Sequence, residues 1–337
     1  MSNPTFTVRL AGSAASFPNT AGDTLLRAGL RAGLGLAYEC SAGGCGSCKC
    51  DIVQGEVEDL WPEAPGLSAK DRAKGRRLAC QCRPLSDCEI KMRSGPEYVS
   101  THTPVRFQAS YLGSRAVTRD IREFRFRANQ PARFAPGQYA LLDLPGLGQL
   151  RAYSMSNLAN EAGDWHFMVR QVPQGRAGKL LFETLQPGDS VAIDGPLGLA
   201  QLRPDAPRDV VCIAGGSGLA PMLSIANAAC LQPGRRSIGL FYGGRSPADM
   251  PVFNDWLAEP QRVQVHAAVS TEPPPEGDGW TGERGFVHEL LARRLQGNFA
   301  AHDYYLAGPP PMIEVLVRML VVDHQVPAEH IHYDRFF

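Results

Sequence analysis

Three closely spaced cysteines constrain this chain more than any other feature. Cys40, Cys45 and Cys48 follow the spacing C-x4-C-x2-C with glycines between them, and further cysteines stand downstream at Cys80 and Cys82. That spacing is typical of thiolates that hold a 2Fe–2S cluster, which needs four such ligands. Glycine suits the loop because a backbone without Cβ can turn its N–H groups toward the cluster sulfurs. The pattern therefore predicts an iron–sulfur site.

Other uses of the cysteines fit the pattern less well. The chain has 9 cysteines in 337 residues, an odd number in a long chain, whereas disulfide scaffolds are short and pair their cysteines. Zinc sites usually show paired C-x2-C units, which this pattern is not. The fourth ligand stays open at this point, because Cys80 and Cys82 lie two residues apart and would point to the same side of a strand.

The composition is that of an ordinary globular chain. A length of 337 residues, with 44% hydrophobic and 20% charged residues, predicts two or three domains. Lys+Arg and Asp+Glu both number 34, so nothing indicates a nucleic-acid partner or a polybasic membrane surface. The first five residues show no secretory signal, and the apolar stretch 313–322 is interrupted by charges, so we expect a cytoplasmic protein without a membrane span.

Residues 1–98 predict a small β-rich module around the cluster loop. Strand periodicity marks 6–10 and 49–53, and helical periodicity marks 24–31, with Asp23 as the expected cap. A proline-rich loop at 60–67 leads to a short charged helix. That helix and the residues after it carry the basic side chains Lys70, Arg72, Lys74, Arg76 and Arg77. They form either a solvated face or a docking surface for an acidic partner.

A Ser-, Thr- and Pro-rich linker at 95–104 leads to a region of short strands. The alternating segments 121–127 and 165–170 predict an antiparallel barrel or sandwich over 103–204. Within it, Arg151-Ala152-Tyr153-Ser154 combines a guanidinium for a pyrophosphate, a ring for an isoalloxazine and a hydroxyl for a flavin nitrogen. By itself this string is also compatible with an exposed strand-end arginine and a half-buried tyrosine.

Residues 205–337 alternate strands with helices, which predicts a doubly wound parallel sheet. A buried strand at 209–214 runs into Gly215-Gly216-Ser217-Gly218, and a helix begins there; a second strand, 304–307, enters Gly308-Pro309 before a helix from about Met312. A glycine-rich turn between strand and helix can bind a dinucleotide pyrophosphate through its N–H groups and the helix dipole. The turn is not a strict G-x-G-x-x-G, so a plain tight turn is the alternative.

Taken in order, these motifs resemble the NADH-dependent reductases of bacterial aromatic oxygenases over essentially the whole chain. The segments 60–67 and 331–337 look most like the reductases of toluene/benzene monooxygenases with a diiron hydroxylase. The resemblance implies a β-grasp ferredoxin module (α+β, 1–98), an antiparallel β-barrel FAD domain (103–204) and a doubly wound α/β NAD domain (205–337). It also identifies Cys80, in Leu78-Ala79-Cys80, as the fourth cluster ligand beside Cys40, Cys45 and Cys48.

The same resemblance implies the other site residues. Arg151, Ala152, Tyr153 and Ser154 match the flavin motif, and Gly215, Gly216, Ser217, Gly218 and Pro221 match the nicotinamide nucleotide turn. Tyr242, Gly243 and Arg245 match the region beside the adenosine ribose, with Gly308 and Pro309 in the second turn. Asp249 is a candidate acceptor for a ribose 2′-hydroxyl that would favour NADH, or else a solvated loop residue. Phe336 matches an aromatic residue that covers the flavin, and Asp334 matches the acidic residue before it.

Two positions depart from the family pattern. The second flavin element usually has Ser or Thr three residues after glycine, whereas Gly175 is followed by Gly178. A side-chain hydroxyl on the pyrophosphate is thus lost or supplied elsewhere, although backbone N–H groups can still serve. The family often reads Cys-Gly-Pro, but Ala307 takes the cysteine position here.

These sites together predict an electron path from NADH to FAD to the cluster and then to an external protein. The expected acceptor is a Rieske-type ferredoxin or a diiron hydroxylase of a monooxygenase, with oxygen activation elsewhere because the chain has no diiron or Rieske ligand set. The near alternative is the reductase of a Rieske ring-hydroxylating dioxygenase. The distant alternative, a non-catalytic iron–sulfur carrier or redox sensor, would not need the flavin and nucleotide motifs.

Overall fold

The structure is a computed structural model that describes residues 4–20, 22–234, 236–271 and 279–337. Residues 1–3, part of the segment from which we expect no secretory signal, lie outside that description. The chain divides into two compact units. The first comprises the described residues up to Arg106 together with 194–199 and Phe337; the second comprises 107–193 and the described residues of 200–336.

The first unit is built on a mixed five-stranded sheet in the order β2-β1-β7-β3-β5. Its strands and those of a small two-stranded sheet, β4-β6, are β1 Thr5–Leu10, β2 Ser16–Thr20, β3 Lys49–Gln54, β4 Val57–Asp59, β5 Arg77–Leu78, β6 Cys82–Pro84 and β7 Cys88–Met92. Strands β1 and β7 run parallel, and the other pairs run antiparallel. This is the predicted β-grasp arrangement, in which the first hairpin is followed by a helix.

That helix, α1 (Leu25–Arg31), buries Leu25, Leu26 and Leu30. The predicted cap was wrong by one residue. Thr24 is the N-cap, and its hydroxyl accepts from the N–H of Arg27 at 3.4 Å. Asp23 instead accepts from the N–H of Thr24 and from the Arg27 guanidinium, both at 2.9 Å. The short helix α2 (Ala69–Ala73) follows where a charged helix was predicted.

The next sheet has six strands in the order β11-β10-β13-β8-β9-β12 and belongs to the second unit, except for the first two residues of β8 and the last four of β13. Its pairs β10–β11, β8–β9 and β9–β12 run antiparallel. Its strands are β8 Val105–Ala116, β9 Ile121–Ala128, β10 Tyr139–Asp143, β11 Arg151–Ser154, β12 Asp164–Arg170 and β13 Ser190–Leu197. A bridge between Met155 and Phe167 joins the two edges, so the sheet closes into a barrel. Aromatic side chains such as Phe124, Phe126 and Trp165 fill its interior.

A six-stranded parallel sheet completes this unit in the order β17-β16-β15-β14-β18-β19. The strands are β14 Asp209–Gly215, β15 Ile238–Gly244, β16 Val263–Val269, β17 Glu283–Arg284, β18 His302–Gly308 and β19 Ile331–Arg335. The helices of the second unit are α3 Arg176–Lys179, α4 Leu219–Leu231, α5 Val287–Leu295 and α6 Pro310–Arg318. Helix α6 begins two residues before the predicted start, with Pro310 in its first turn, where a proline is tolerated.

Helices cover both faces of the parallel sheet, as a doubly wound fold requires. On β14, Cys212 packs in the cluster that holds α4, while Ile213 points to the opposite side and packs with α5 and α6. Strand order reverses between β14 and β18, so the turns after these two strands border one crevice. Among the described residues, no helix is both long and apolar enough to cross a membrane.

Candidate functional sites

The cluster loop connects α1 to β3 and surrounds its thiols with backbone donors. The N–H groups of Cys45 and Ala42 point at Sγ of Cys40 over 3.3 and 3.5 Å, and those of Ser47 and Cys40 point at Sγ of Cys45 over 3.4 and 3.5 Å. Hydrogen bonds from the Cys40 thiol and from these N–H groups lower the pKa of Cys45 to about 6. The contact with the Cys45 thiol and burial raise the pKa of Cys40, so the loop directs N–H donors at both sulfurs but lowers the pKa of Cys45 and not that of Cys40.

Cys80 and Cys82 occupy different local structures. Cys80 lies in a single 3₁₀ turn, 79–81, so the strand alternation that left the fourth ligand open does not apply. The neighbouring Cys48 thiol and burial together raise the pKa of Cys80 well above its usual value. Cys82 begins β6 opposite Asp59, and burial followed by the Asp59 charge raises its pKa to about 12. The geometry therefore groups Cys80, rather than Cys82, with the loop cysteines.

This thiol set fits a cluster better than a single ion. Within the described residues, no three His, Cys, Asp or Glu side chains converge as a site for one metal ion. A 2Fe–2S centre makes a different demand, because its four thiolates are shared between two irons. This protein provides four cysteine donors in two neighbouring segments, with N–H groups directed at two of the sulfurs, which is what a 2Fe–2S centre needs.

The proline-rich segment 60–67, which we call the strap, lies against the cluster loop. The N–H of Gly66 donates to the carbonyl of Gly43 over 2.9 Å. Gly46 has a φ of +78°, and a Cβ on it would come within 2.4 Å of the Gly66 carbonyl oxygen. Both the backbone conformation and the contact with the strap therefore require glycine at this position.

The flavin motif forms the whole of β11, which pairs with β10 on the barrel. The Arg151 guanidinium donates to two neutral oxygens, the Leu150 carbonyl at 3.3 Å and Gln149 Oε1 at 2.9 Å. Among the described residues, no carboxylate pairs with it. A guanidinium in this state can bind a pyrophosphate without first breaking an ion pair.

The next residues of β11 present an aromatic ring and a hydroxyl. Tyr153 is half-buried, packs against the barrel core, and has its pKa raised to about 12 by burial, so its hydroxyl stays protonated at neutral pH. Ser154 is buried and sits opposite Tyr139 of β10. Ala152, which precedes Tyr153 on β11, pairs with Leu141 of β10. These placements suit the ring and hydroxyl contacts that a flavin needs.

The second flavin element lies at the start of α3, with Gly175 as its N-cap. Gly178 is buried, but a Cβ on it would meet only the Val172 nitrogen at 3.8 Å and the Gln171 Cα at 3.9 Å. Packing therefore does not require glycine at the position where the family carries a hydroxyl.

The nucleotide turn follows β14 as a 3₁₀ turn, 216–218, that leads directly into α4. Gly216 has a φ of +58° and faces open space. A Cβ on Gly218 would lie 2.0 Å from the Ala307 carbonyl oxygen, so the close approach of this turn to β18 requires glycine. Ser217 is half-buried in the turn, and Pro221 lies in the first turn of α4, where the missing N–H costs no helical hydrogen bond.

A cavity of about 440 Å³ opens where the strand order of the parallel sheet reverses. Seven of the predicted nucleotide residues line it: Gly215, Gly216, Tyr242, Gly243, Arg245, Asp249 and Pro309. Ser217, Gly218, Pro221 and Gly308 belong to the bordering turns but are not among its lining residues. A crevice at this point of an open α/β sheet is the usual place for a nucleotide.

Asp249 is not a solvated loop residue, since only 5% of it is exposed. One carboxylate oxygen accepts from the backbone N–H and Nε of Arg245 at 3.0 and 2.9 Å, and the other pairs with Arg119 at 2.9 Å. Burial alone would raise the pKa of Asp249, but these arginine contacts hold it below its usual value. The carboxylate thus fixes Arg245 at the cavity, and its contact with a ribose remains a prediction.

The last strand places the carboxy-terminal residues beside β18, whose following turn borders the crevice. Asp334 pairs with Ala307 across β18 and β19 and is buried, while the N–H of Phe336 donates to the Gly308 carbonyl over 2.9 Å. Gly308 precedes Pro309, which lines the cavity. Phe336 is half-buried against the adjoining core.

Several cavity residues had no signal in the sequence. Asp120 and Arg170 come from the barrel, where the Asp120 carboxylate accepts from Arg170 at 2.8 Å and from Arg245 at 3.0 Å. Phe286, 57% exposed, stacks on His288 with ring centroids 5.6 Å apart. None belongs to a local motif, and only the fold brings them to the crevice.

Comparison with known proteins identifies three domains in the chain. Residues 8–85 match the 2Fe-2S iron-sulfur cluster binding domain, 112–202 the oxidoreductase FAD-binding domain and 212–318 the oxidoreductase NAD-binding domain. The chain is 41% identical over 318 residues to ferredoxin–NAD(P)(+) reductase CarAd of Metapseudomonas resinovorans, covering 94% of this chain and 95% of that protein.

Two further proteins extend the likeness. The ferredoxin–NAD(+) reductase component of the alkene monooxygenase system of Xanthobacter autotrophicus is 37% identical over 95% of this chain and 98% of its own length. The solved structure of the ferredoxin reductase in carbazole 1,9a-dioxygenase superposes with a TM-score of 0.93 at 36% identity, covering 100% of both chains. The chain therefore belongs to the family of ferredoxin–NAD(P)(+) reductase components of oxygenase systems, with 2Fe–2S, FAD- and NAD-binding domains.

Proposed function

We propose that this chain passes electrons from NADH through FAD and the 2Fe–2S cluster to the ferredoxin or hydroxylase of a toluene/benzene-type aromatic monooxygenase. The observation that carries the proposal is the crevice, at the point where the strand order reverses between β14 and β18, in the same chain as the four cysteine thiols. A simple iron–sulfur carrier needs no such nucleotide site. Bound FAD can accept a hydride and release single electrons, which a one-electron cluster can carry.

The residues of the second unit bind and orient the two nucleotides. The N–H groups of the 216–218 turn and the start of α4 hold the NADH pyrophosphate, and Arg245, held by Asp249, lies beside the adenosine ribose. Arg151 pairs with the FAD pyrophosphate.

The remaining proposed residues act at the flavin ring. Tyr153 would pack on a bound flavin ring, the Ser154 hydroxyl would donate to one of its nitrogens, and Phe336 would cover the ring. Asp334, buried before it at the end of β19, holds this carboxy-terminal segment beside β18. A cytoplasmic location, inferred from the thiols, remains a prediction.

An absorption spectrum of the purified protein tests the central proposal. We expect flavin and iron–sulfur bands that bleach when NADH is added without oxygen. A protein that lacks either band, or that keeps both bands unbleached, contradicts it.

The fourth ligand is tested by paired substitutions. Cys80→Ser should lose the iron–sulfur band, because it removes a cage thiolate, whereas Cys82→Ser should keep it. The opposite pattern would assign Cys82 as the ligand. Flavin content serves as the folding control in both variants.

The partner class is tested with purified acceptors. The likeness to reductases of both an alkene monooxygenase and a carbazole dioxygenase keeps a Rieske ring-hydroxylating dioxygenase as the second candidate system. NADH-driven reduction should be fastest with a Rieske-type ferredoxin or a diiron hydroxylase of a monooxygenase. A clear preference for a dioxygenase component would favour the second candidate.

A further inference from the structure

Helix α2 and its C-cap carry two lysines, Lys70 and Lys74, that form no ion pair with the described residues. Both are exposed and lie four residues apart, on the same side of the chain. The side chain between them, Asp71, is buried and closes a capping box with Ser68. The helix thus has one inward anchor and one outward basic face.

The other basic residues of this stretch are already neutralised. Arg76 pairs with Asp71 at 3.0 Å and with Asp51 at 3.5 Å, and Arg77 pairs with Asp59 at 3.4 Å. Of the five basic side chains predicted between residues 70 and 77, these two therefore form ion pairs within the first unit. The question of a solvated face or a docking surface therefore concerns Lys70, Lys74 and their neighbour Arg72.

Arg72 connects the helix to the strap over the cluster loop. Its guanidinium donates to the carbonyls of Pro62 and Ala64 at 3.1 and 2.9 Å. The strap also presents Trp61, half-buried, whose ring would lie 3.0 Å from a Cβ on Gly43 of the cluster loop. The basic face of α2 is thereby held next to the segment that packs against the cluster loop.

We infer that this face of α2, together with the strap, is the docking surface for an electron acceptor whose contacting surface is acidic. The inference rests on the proposed function, since it supplies that function's last step with a binding surface. Exposed cations beside a half-buried tryptophan are the chemistry of a small, transient interface, where charge steers the encounter and an aromatic side chain anchors it. Within residues 60–74, Glu63 is the only exposed acidic residue, against the three cations Lys70, Arg72 and Lys74, so the charge of this described segment is positive.

A matched pair of acceptors tests this surface. Native cytochrome c is basic, and cytochrome c with succinylated lysines is acidic, while both carry the same haem. Wild-type protein with NADH should reduce the succinylated form with the higher kcat/KM at low ionic strength. Lys70→Glu/Lys74→Glu should lower that value about tenfold and raise it for native cytochrome c, since charge steering changes association rates by this order or more. Both effects should shrink in 0.3 M salt.

Controls separate this inference from the proposed function. Lys91→Glu, an exposed lysine on β7, and Lys74→Glu alone change the net charge equally; Lys91→Glu should leave both rates unchanged, whereas Lys74→Glu should shift them in the direction of the double variant. Anaerobic bleaching of flavin and cluster by NADH should be the same in every variant. If bleaching fails in the wild type, the proposed function is wrong. If bleaching is normal but the acceptor preference does not invert, or Lys91→Glu inverts it equally, the docking surface is wrong.

Discussion

Restoring a hydroxyl at Gly178 should tighten FAD binding. The family carries Ser or Thr at this position, three residues after Gly175, whereas this chain has glycine in the first turn of α3. A Cβ there meets nothing closer than 3.8 Å, so the Cβ of Gly178→Ser makes no close contact. The new hydroxyl lies where a helix begins, which is where a phosphate group is bound.

The expected gain can be estimated from two separate effects. A hydrogen bond to a charged phosphate contributes about 1.5 kcal/mol, which corresponds to about a tenfold lower Kd for FAD. Replacing glycine by serine in a helix adds about 0.5 kcal/mol to the free energy of unfolding, whether or not FAD is bound. Gly178→Ala separates the two, because it gains about 1 kcal/mol of helix stability without a hydroxyl.

The assay is fluorescence titration of the deflavinated protein with FAD, together with thermal unfolding of each variant. Gly178→Ser should bind FAD about tenfold more tightly than wild type, and Gly178→Ala should bind it as wild type does. Equal FAD affinity in the serine and alanine variants would refute the reasoning. In that case the hydroxyl bonds to a nearby backbone group, such as the Val172 nitrogen, rather than to the pyrophosphate.

Three further predictions concern the second unit. Gly218→Ala should destabilise it by about 2–3 kcal/mol and weaken NADH binding, measured by denaturation and titration, because the new Cβ would lie 2.0 Å from the Ala307 carbonyl oxygen. His332 stacks on Tyr305, and burial lowers its pKa from 6.5 to about 4, so the folded state favours the neutral ring. The free energy of unfolding should therefore be full above pH 6.5 and fall by up to about 3 kcal/mol as the pH drops toward 4. His332→Phe should remove that part of the pH dependence of the Tm. Asp249→Asn should raise KM for both NADH and NADPH, since it releases two arginines; a selective gain with NADPH would instead show direct repulsion of a 2′-phosphate.

Much of the site was predictable because its motifs are local. The cysteine spacing and the glycine-rich turn between β14 and α4 are short stretches that can be recognised in the sequence itself. The contacts that require glycine at Gly46 and Gly218, with the Gly66 and Ala307 carbonyl oxygens, appear only in the fold. The three-part fold was confirmed for the same reason, since strand and helix periods are properties of contiguous segments. The predicted cap of α1 was wrong by one residue because Asp23 and Thr24 can both act as an N-cap, and the Asp23 carboxylate instead accepts from the Arg27 guanidinium.

What the sequence alone determined is the set of cofactor chemistries and their order along the chain, because each depends on residues a few positions apart. Tertiary structure decided the rest. It put Cys80 in a turn beside Cys48, while Cys82 faces Asp59, and it enclosed Asp249 within arginine contacts. It also brought Asp120 of the barrel to the nucleotide crevice, 125 positions from the Arg245 it pairs with. Such contacts depend on which distant surfaces pack together, and no local pattern records that.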